Sequence, residues 1–159
     1  MSFRIGQGYD VHRLAEGETL WLGGILISHT KGTVAHSDGD VLIHTICDAL
    51  LGALNLGDIG THFPDSSDNF KDIDSKILLK KTYDLVKEKG YELVNIDSTI
   101  SAQQPKLKPY IPEMENTIAE VLRVESGQVS VKATTTEKLG FEGREEGISA
   151  NAVVLLKKL

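Results

Sequence analysis

Ile148-Ser149-Ala150-Asn151-Ala152-Val153-Val154-Leu155-Leu156-Lys157 alternates weakly at first and ends in a nearly continuous apolar run. That pattern suits a strand buried on both faces. Its purely aliphatic part, Val153 to Leu156, is far short of the ~18 residues that suggest a membrane span. Three further strands are expected upstream. Val129, Val131 and Ala133 share one face of an alternating segment, as do Val94, Ile96, Ser98 and Ile100, and a further strand is expected around Phe3–Gly8. A hairpin is expected near Trp21–Ile27, turning at Gly23-Gly24.

Helical periodicity fills the remainder. Residues 38–56 predict a helix capped by Ser37 or Asp38, with Leu42, Ile46, Ala49, Leu50, Ala53 and Leu54 as its apolar stripe. Asp74 or Ser75 caps a second, with Leu78, Leu85 and Val86 inward and Gly90 as its stop. A third runs from about Tyr110 to Leu122 with Pro112 in its first turn, where a missing N–H costs nothing. The expected fold class is mixed α/β (α+β), one mixed sheet with about three helices on one face. No repeat, linker or low-complexity block interrupts residues 1–159, so one domain is expected.

Composition narrows the function. A chain of 159 residues can bury about 68–70% of its unfolded surface, enough for a core without disulfides. Seventeen basic side chains against 23 acidic give a net charge of -6, which argues against a general nucleic-acid binder. Cys47 is the single cysteine, so an intrachain disulfide and a thiolate-rich metal site are both excluded, and a reducing compartment fits. The start of the chain lacks a basic segment followed by an apolar one, so no signal peptide is expected.

Two clusters carry ionisable groups in suggestive spacing. In an extended Asp10-Val11-His12 the carboxylate and imidazole project together while Val11 turns to the core. Either a metal half-site or a hydrogen-bonded surface pair has that pattern. The preceding Gly6-Gln7-Gly8 is a weak phosphate-binding signal. In His36-Ser37-Asp38-Gly39-Asp40-Val41-Leu42-Ile43-His44, Asp40, His44 and Asp48 fall at i, i+4 and i+8, a polar stripe opposite the apolar one. Together the clusters offer two histidines and a carboxylate, the composition of a catalytic zinc site with an open fourth position.

The segments Gly57 to Ser67 and Ala102 to Lys108 are rich in turn formers and read as plain connections or as pocket walls. Lys132 to Arg144 ends a strand in Thr134-Thr135-Thr136, then continues through Glu137 and a glycine-interrupted loop to one arginine. Such a stretch either presents hydroxyls, amides and a guanidinium to an oxyanion, with Glu137 for a hard divalent cation, or is a β-rich run followed by a turn.

Gly8 to His12, His36 to His44, Asp48 to Ala53, Gly57 to Gly60, Phe63 to Asp65 and Lys132 to Gly143, in this order, resemble the 2-C-methyl-D-erythritol 2,4-cyclodiphosphate synthase family over essentially the whole chain. The resemblance implies zinc on Asp10, His12 and His44, and a magnesium or manganese ion on Glu137. It implies that His36 and Ser37 touch substrate and that His36 and Thr135 stabilise the transition state. Asp58, Ile59, Gly60, Phe63, Pro64, Asp65, Ser66 and Ser67 correspond to a methylerythritol pocket. Ala102, Gln103, Gln104, Pro105, Lys106, Leu107, Lys108, Thr134, Thr135 and Thr136 correspond to a cytidine and diphosphate pocket, and Phe141 and Arg144 to further contacts. Thr45-Ile46-Cys47 replaces smaller residues common in the family; Cys47 reads as packing.

The implied reaction joins the 2-phosphate of 4-diphosphocytidyl-2-C-methyl-D-erythritol 2-phosphate to its own β-phosphorus and expels CMP, a step in isoprenoid precursor biosynthesis. An anion attacking an anion requires positioning and charge neutralisation more than a side-chain nucleophile. The resemblance further implies a homotrimer with active sites between subunits and sheets around a central axis, whose cavity sometimes holds an isoprenoid diphosphate. It implies a cytoplasmic bacterial protein, or a plastid stromal one in a processed plant or algal form, with no nucleic-acid or membrane partner. Two competitors share the residues: a zinc phosphoesterase acting on another nucleotide, and a non-catalytic trimer that binds isoprenoid diphosphates. A purely structural zinc would close with four protein ligands, mostly thiolates.

Overall fold

Residues 1–159 are described by a computed structural model. Along the chain run β1 (Phe3–Glu16), β2 (Leu20–Leu22), β3 (Ile25–Ile27), β4 (Lys31–Val34), α1 (Val41–Ala53), α2 (Ile59–His62), α3 (Ser75–Glu88), β5 (Tyr91–Ser101), α4 (Ile111–Leu122), β6 (Val129–Thr134), α5 (Gly140–Gly143) and β7 (Gly147–Lys158). Five strands form one sheet in the order β4-β1-β7-β5-β6, and β2 pairs with β3 in a separate hairpin. β7 is central, antiparallel to both β1 and β5, while β6 runs parallel to β5. The sheet is mixed, as expected, and α1, α3 and α4 are the three long helices. α2 and α5 are single turns.

The strand read as covered on both faces is covered on one. Ile148, Ala150, Ala152, Val154 and Leu156 of β7 are buried beneath the helices, while Val153 is 41% exposed on the opposite face. Phe3, Ile5, Tyr9 and Val11 of β1 are exposed as well. Val11 therefore points away from the core, contrary to expectation, because Gly6, Gly8, Asp10 and His12 occupy the helix side. Two smaller departures have local causes. A bulge between Leu93 and Asn95 shifts the β5 register, so Leu93 joins Ile96, Ser98 and Ile100 inside and Val94 does not. At the sheet edge Ala133 is exposed.

Gly6 and Gly8 are steric devices here. A Cβ at Gly6 would stand 1.9 Å from the Ala49 carbonyl oxygen, and one at Gly8 2.0 Å from that of Thr45. Their absence lets α1 lie directly on β1, which makes α1 buried almost all round. The helix starts at Val41, capped by Asp40 rather than Ser37 or Asp38. Its supposed polar stripe is also internal: Asp40 is fully buried and His44 nearly so. The 33 buried residues of the core form one cluster spanning sheet and helices. No helix is long and apolar enough to cross a membrane.

Cys47 lies inside that cluster, and burial pushes its thiol up to about 12. Against an ordinary pKa near 8.5, its thiolate fraction at neutral pH is lower by about a thousandfold. Native protein should therefore resist maleimide labelling by at least that factor and react at once in denaturant. Rapid native labelling would contradict this packing.

Candidate active site and metal centre

β1 and α1 bring the two ionisable clusters together. Asp10 and His12 project from the helix side of β1, and His44 projects from the first turns of α1. Asp10 Oδ2 lies 3.3 Å from His12 Nδ1 and 3.5 Å from His44 Nδ1. One donor atom from each residue falls within 4.8 Å of the other two. A tetrahedral divalent metal with bonds of about 2.0–2.1 Å has ligand-to-ligand edges of about 3.4 Å, so the two measured edges fit such an ion. His12 Nδ1 is buried without a hydrogen-bond partner, an unsatisfied donor or acceptor of the kind a metal would satisfy.

The electrostatics favour a cation. Burial lowers the His12 pKa, with Asp10 opposing, and so favours a neutral imidazole whose lone pair can ligate. Burial works the same way on His44, but the Asp10 carboxylate beside it and the Asp40 and Asp38 charges outweigh it and hold that pKa above the ordinary value.

Around the triad the folded chain supplies a cleft of about 350 Å³, lined in part by His36, Ser37, Ile59, Gly60, Phe63 and Asp65. These are residues the sequence singles out. His36 Nε2 donates to the Ser67 carbonyl at 3.0 Å, and the His36 carbonyl accepts from Asp72 N at 2.8 Å, which ties the 64–73 segment to the cleft rim. Asp58 spends its carboxylate on the start of α2, accepting from Thr61 N at 2.9 Å and Thr61 Oγ1 at 2.8 Å. Asp48 accepts from Ile59 N at 2.7 Å and so anchors α2 to α1; burial pushes that carboxyl up.

The second group assembles elsewhere. Ala102, Gln103, Pro105, Lys106, Leu107, Lys108, Thr134 and Thr135 line a separate cleft of about 410 Å³ at the β5–β6 edge. Asp10 pairs with Ala150, Ala150 with Ile100, and Ile100 with Ala133, so both clefts sit at one level of the sheet. Three strand spacings of ~4.8 Å separate them, roughly 14 Å. Glu137 is exposed on the following turn, where it and Lys138 adopt positive φ, and Gln103 Oε1 accepts from Lys138 N at 3.1 Å. Arg144 is exposed and paired with Glu146. Phe141 packs over Gly147.

Residues 3–157 match the family model described as the YgbB family. The chain belongs to the YgbB family. This YgbB-family chain is also 60% identical over 159 residues to the 2-C-methyl-D-erythritol 2,4-cyclodiphosphate synthase of Bacteroides fragilis, covering 100% of both. Its fold matches the bifunctional IspDF from Campylobacter jejuni with a TM-score of 0.96 and 49% identity, over 99% of this chain and 43% of that longer one. It matches a CDP-bound 2C-methyl-D-erythritol-2,4-cyclodiphosphate synthase at a TM-score of 0.90 and 36% identity, over 97% of this chain and 100% of that one.

Ser75 escaped the sequence reading as a site residue. It reads there as a helix cap, yet its hydroxyl lies 2.8 Å from His44 Nε2. Nothing in the spacing of positions 31 apart signals that contact. Phe70, Ile73 and Leu78 also line the cleft and carry no signal beyond their hydrophobicity.

Proposed function

We propose that this chain converts 4-diphosphocytidyl-2-C-methyl-D-erythritol 2-phosphate into 2-C-methyl-D-erythritol 2,4-cyclodiphosphate and CMP. The observation that carries the reading is the Asp10, His12 and His44 donor set with tetrahedral edges opening onto a cleft, in a chain of this family. Asp10, His12 and His44 would hold a zinc ion there, which would supply Lewis-acid chemistry toward the β-phosphate. An oxygen of the 2-phosphate bonds to the β-phosphorus, the bond from β-phosphorus to the bridging oxygen breaks, and CMP departs with that oxygen. No water is consumed.

The chain's own residues position and neutralise. Ile59, Gly60, Phe63 and Asp65 shape the methylerythritol side, with Asp58, Pro64, Ser66 and Ser67 supporting it. His36 and Ser37 contact phosphate beside the triad, and His36 with Thr135 stabilises the charge of the transition state. Ala102 to Lys108 and Thr134 to Thr136 hold the cytidine diphosphate, and Phe141 and Arg144 make further contacts. Glu137 is an exposed carboxylate, which suits a magnesium or manganese ion held together with substrate phosphates.

Within a chain the two clefts lie roughly 14 Å apart across the sheet, and the resemblance to the family supports joining the triad of one copy to the cytidine cleft of the next in a homotrimer. The exposed Phe3, Ile5 and Val153 face of β1 and β7 is then covered around the axis, with room for an isoprenoid diphosphate. A reduced, buried Cys47 suits the bacterial cytoplasm.

Phosphorus NMR of the protein with this substrate and magnesium tests the reading. CMP and a cyclic diphosphate should appear and should stop on chelation. A linear product would make the protein a hydrolase, and untouched substrate with folded, metal-loaded protein would overturn the enzyme reading.

A further inference from the structure

Behind the metal triad runs a buried chain of hydrogen bonds from α3. Ser75 is fully buried. Its Oγ donates to Asp38 Oδ1 at 2.5 Å, and its backbone N donates to Asp38 Oδ2 at 2.8 Å. The same Oγ lies 2.8 Å from His44 Nε2. Ser37 Oγ is the other oxygen near that nitrogen, farther at 3.2 Å and already accepting from Gly39 N.

The donor count resolves the protons. A carboxylate only accepts, so the hydroxyl hydrogen of Ser75 is committed to Asp38. Ser75 Oγ can then only accept from His44, which requires the hydrogen of the neutral ring to sit on Nε2. Nδ1 is left with its lone pair, and Nδ1 is the nitrogen 3.5 Å from Asp10 Oδ2. A hydroxyl bonded to carboxylate on one side and imidazole on the other also fixes the ring plane. Both contacts come from positions on different elements, the 36–40 segment and the start of α3, so they set the ring independently of α1.

We propose that Asp38 and Ser75 are positioning residues that select the Nε2–H tautomer of His44 and thereby present Nδ1 to the metal. The inference rests on the metal reading above. Outer-shell partners of this kind typically govern metal affinity by about 10–100-fold. Asp38→Ala removes the acceptor of the Ser75 hydroxyl, together with that of Ser75 N and, at 3.1 Å, of Asp40 N. The hydroxyl then turns to donate to His44 Nε2, and the ring is driven to the Nδ1–H tautomer, whose hydrogen occupies the metal's direction. Ser75→Ala leaves Nε2–H without its nearest acceptor.

Two measurements separate positioning from mere packing. Long-range proton–nitrogen NMR of metal-free protein, at a pH where His44 is neutral, should report Nε2–H in the wild type and Nδ1–H in Asp38→Ala. Competition with a zinc chelator should show both variants binding zinc about 10–100-fold more weakly, with metal-free circular dichroism unchanged. Wild-type affinity in both folded variants, or an Nδ1–H tautomer in the wild type, would overturn the inference and leave the metal reading intact. A wild-type chain that takes up no zinc would overturn the metal reading and this inference with it.

Discussion

His44→Ala is expected to purify without metal and to release CMP at least about a thousandfold more slowly than the wild type. The other two donors, Asp10 and His12, both come from β1, and His44 is the one ligand contributed by α1. Removing it leaves two ligands on one strand, too few for a tetrahedral ion that must keep a position open. Without the ion the 2-phosphate must approach a diphosphate with its negative charge uncompensated. Metal content per chain and CMP release should fall together, and Asp10→Asn should behave in the same way. Thermal denaturation supplies a second reading. A bound metal at a thousand times its Kd adds about 4 kcal/mol, so chelation should lower the wild-type Tm and leave that of His44→Ala unmoved. Full metal content in the folded variant would remove His44 from the ligand set.

Asp40→Ala should lose the fold's anchoring of α1 rather than any substrate contact. The Asp40 carboxylate accepts from Gly23 N at 3.0 Å, Gly24 N at 2.6 Å and Ile43 N at 3.0 Å. Burial raises its pKa, and the Ile43 and Gly24 amides work against that rise. One side chain thus caps α1 and receives the turn of the β2–β3 hairpin, where Gly23 and Gly24 both have positive φ. Alanine leaves three buried N–H groups without an acceptor, each costing about 1–3 kcal/mol. A net loss of roughly 3–5 kcal/mol is expected for breaking such a buried arrangement. At roughly 2–4 °C per kcal/mol for a domain of this size, the Tm should fall by about 6–20 °C. Because His44 follows one turn later, zinc affinity should fall as well. A Tm within about 2 °C of the wild type would show that the amides find other partners.

The contrast between Asp40 and His44 shows where sequence reading stops. Both fall on one face by helical spacing, and that spacing is the same whether the face meets water, a neighbouring hairpin or a metal. The glycines Gly6 and Gly8 let α1 rest on β1, and that contact buries the face. Asp10 and His12 share one side of an extended strand, since strand geometry places alternate residues together. Val11 is exposed, because which side of a strand is covered depends on where distant helices pack. Val153 of β7 is exposed for the same reason, with α1, α3 and α4 all on the other side.

Local pattern by itself determined the mixed α/β class, the three long helices, the Gly23-Gly24 hairpin and the composition of the metal set. These depend on neighbours within a few positions, where periodicity and turn chemistry act directly. Tertiary structure alone decided that Asp10 Oδ2 stands between His12 and His44, that Ser75 backs His44, and that the two clefts are separated by three strand spacings. Each of those facts joins residues dozens of positions apart through strand pairing and helix packing, and their distances are set by backbone geometry that no local spacing encodes.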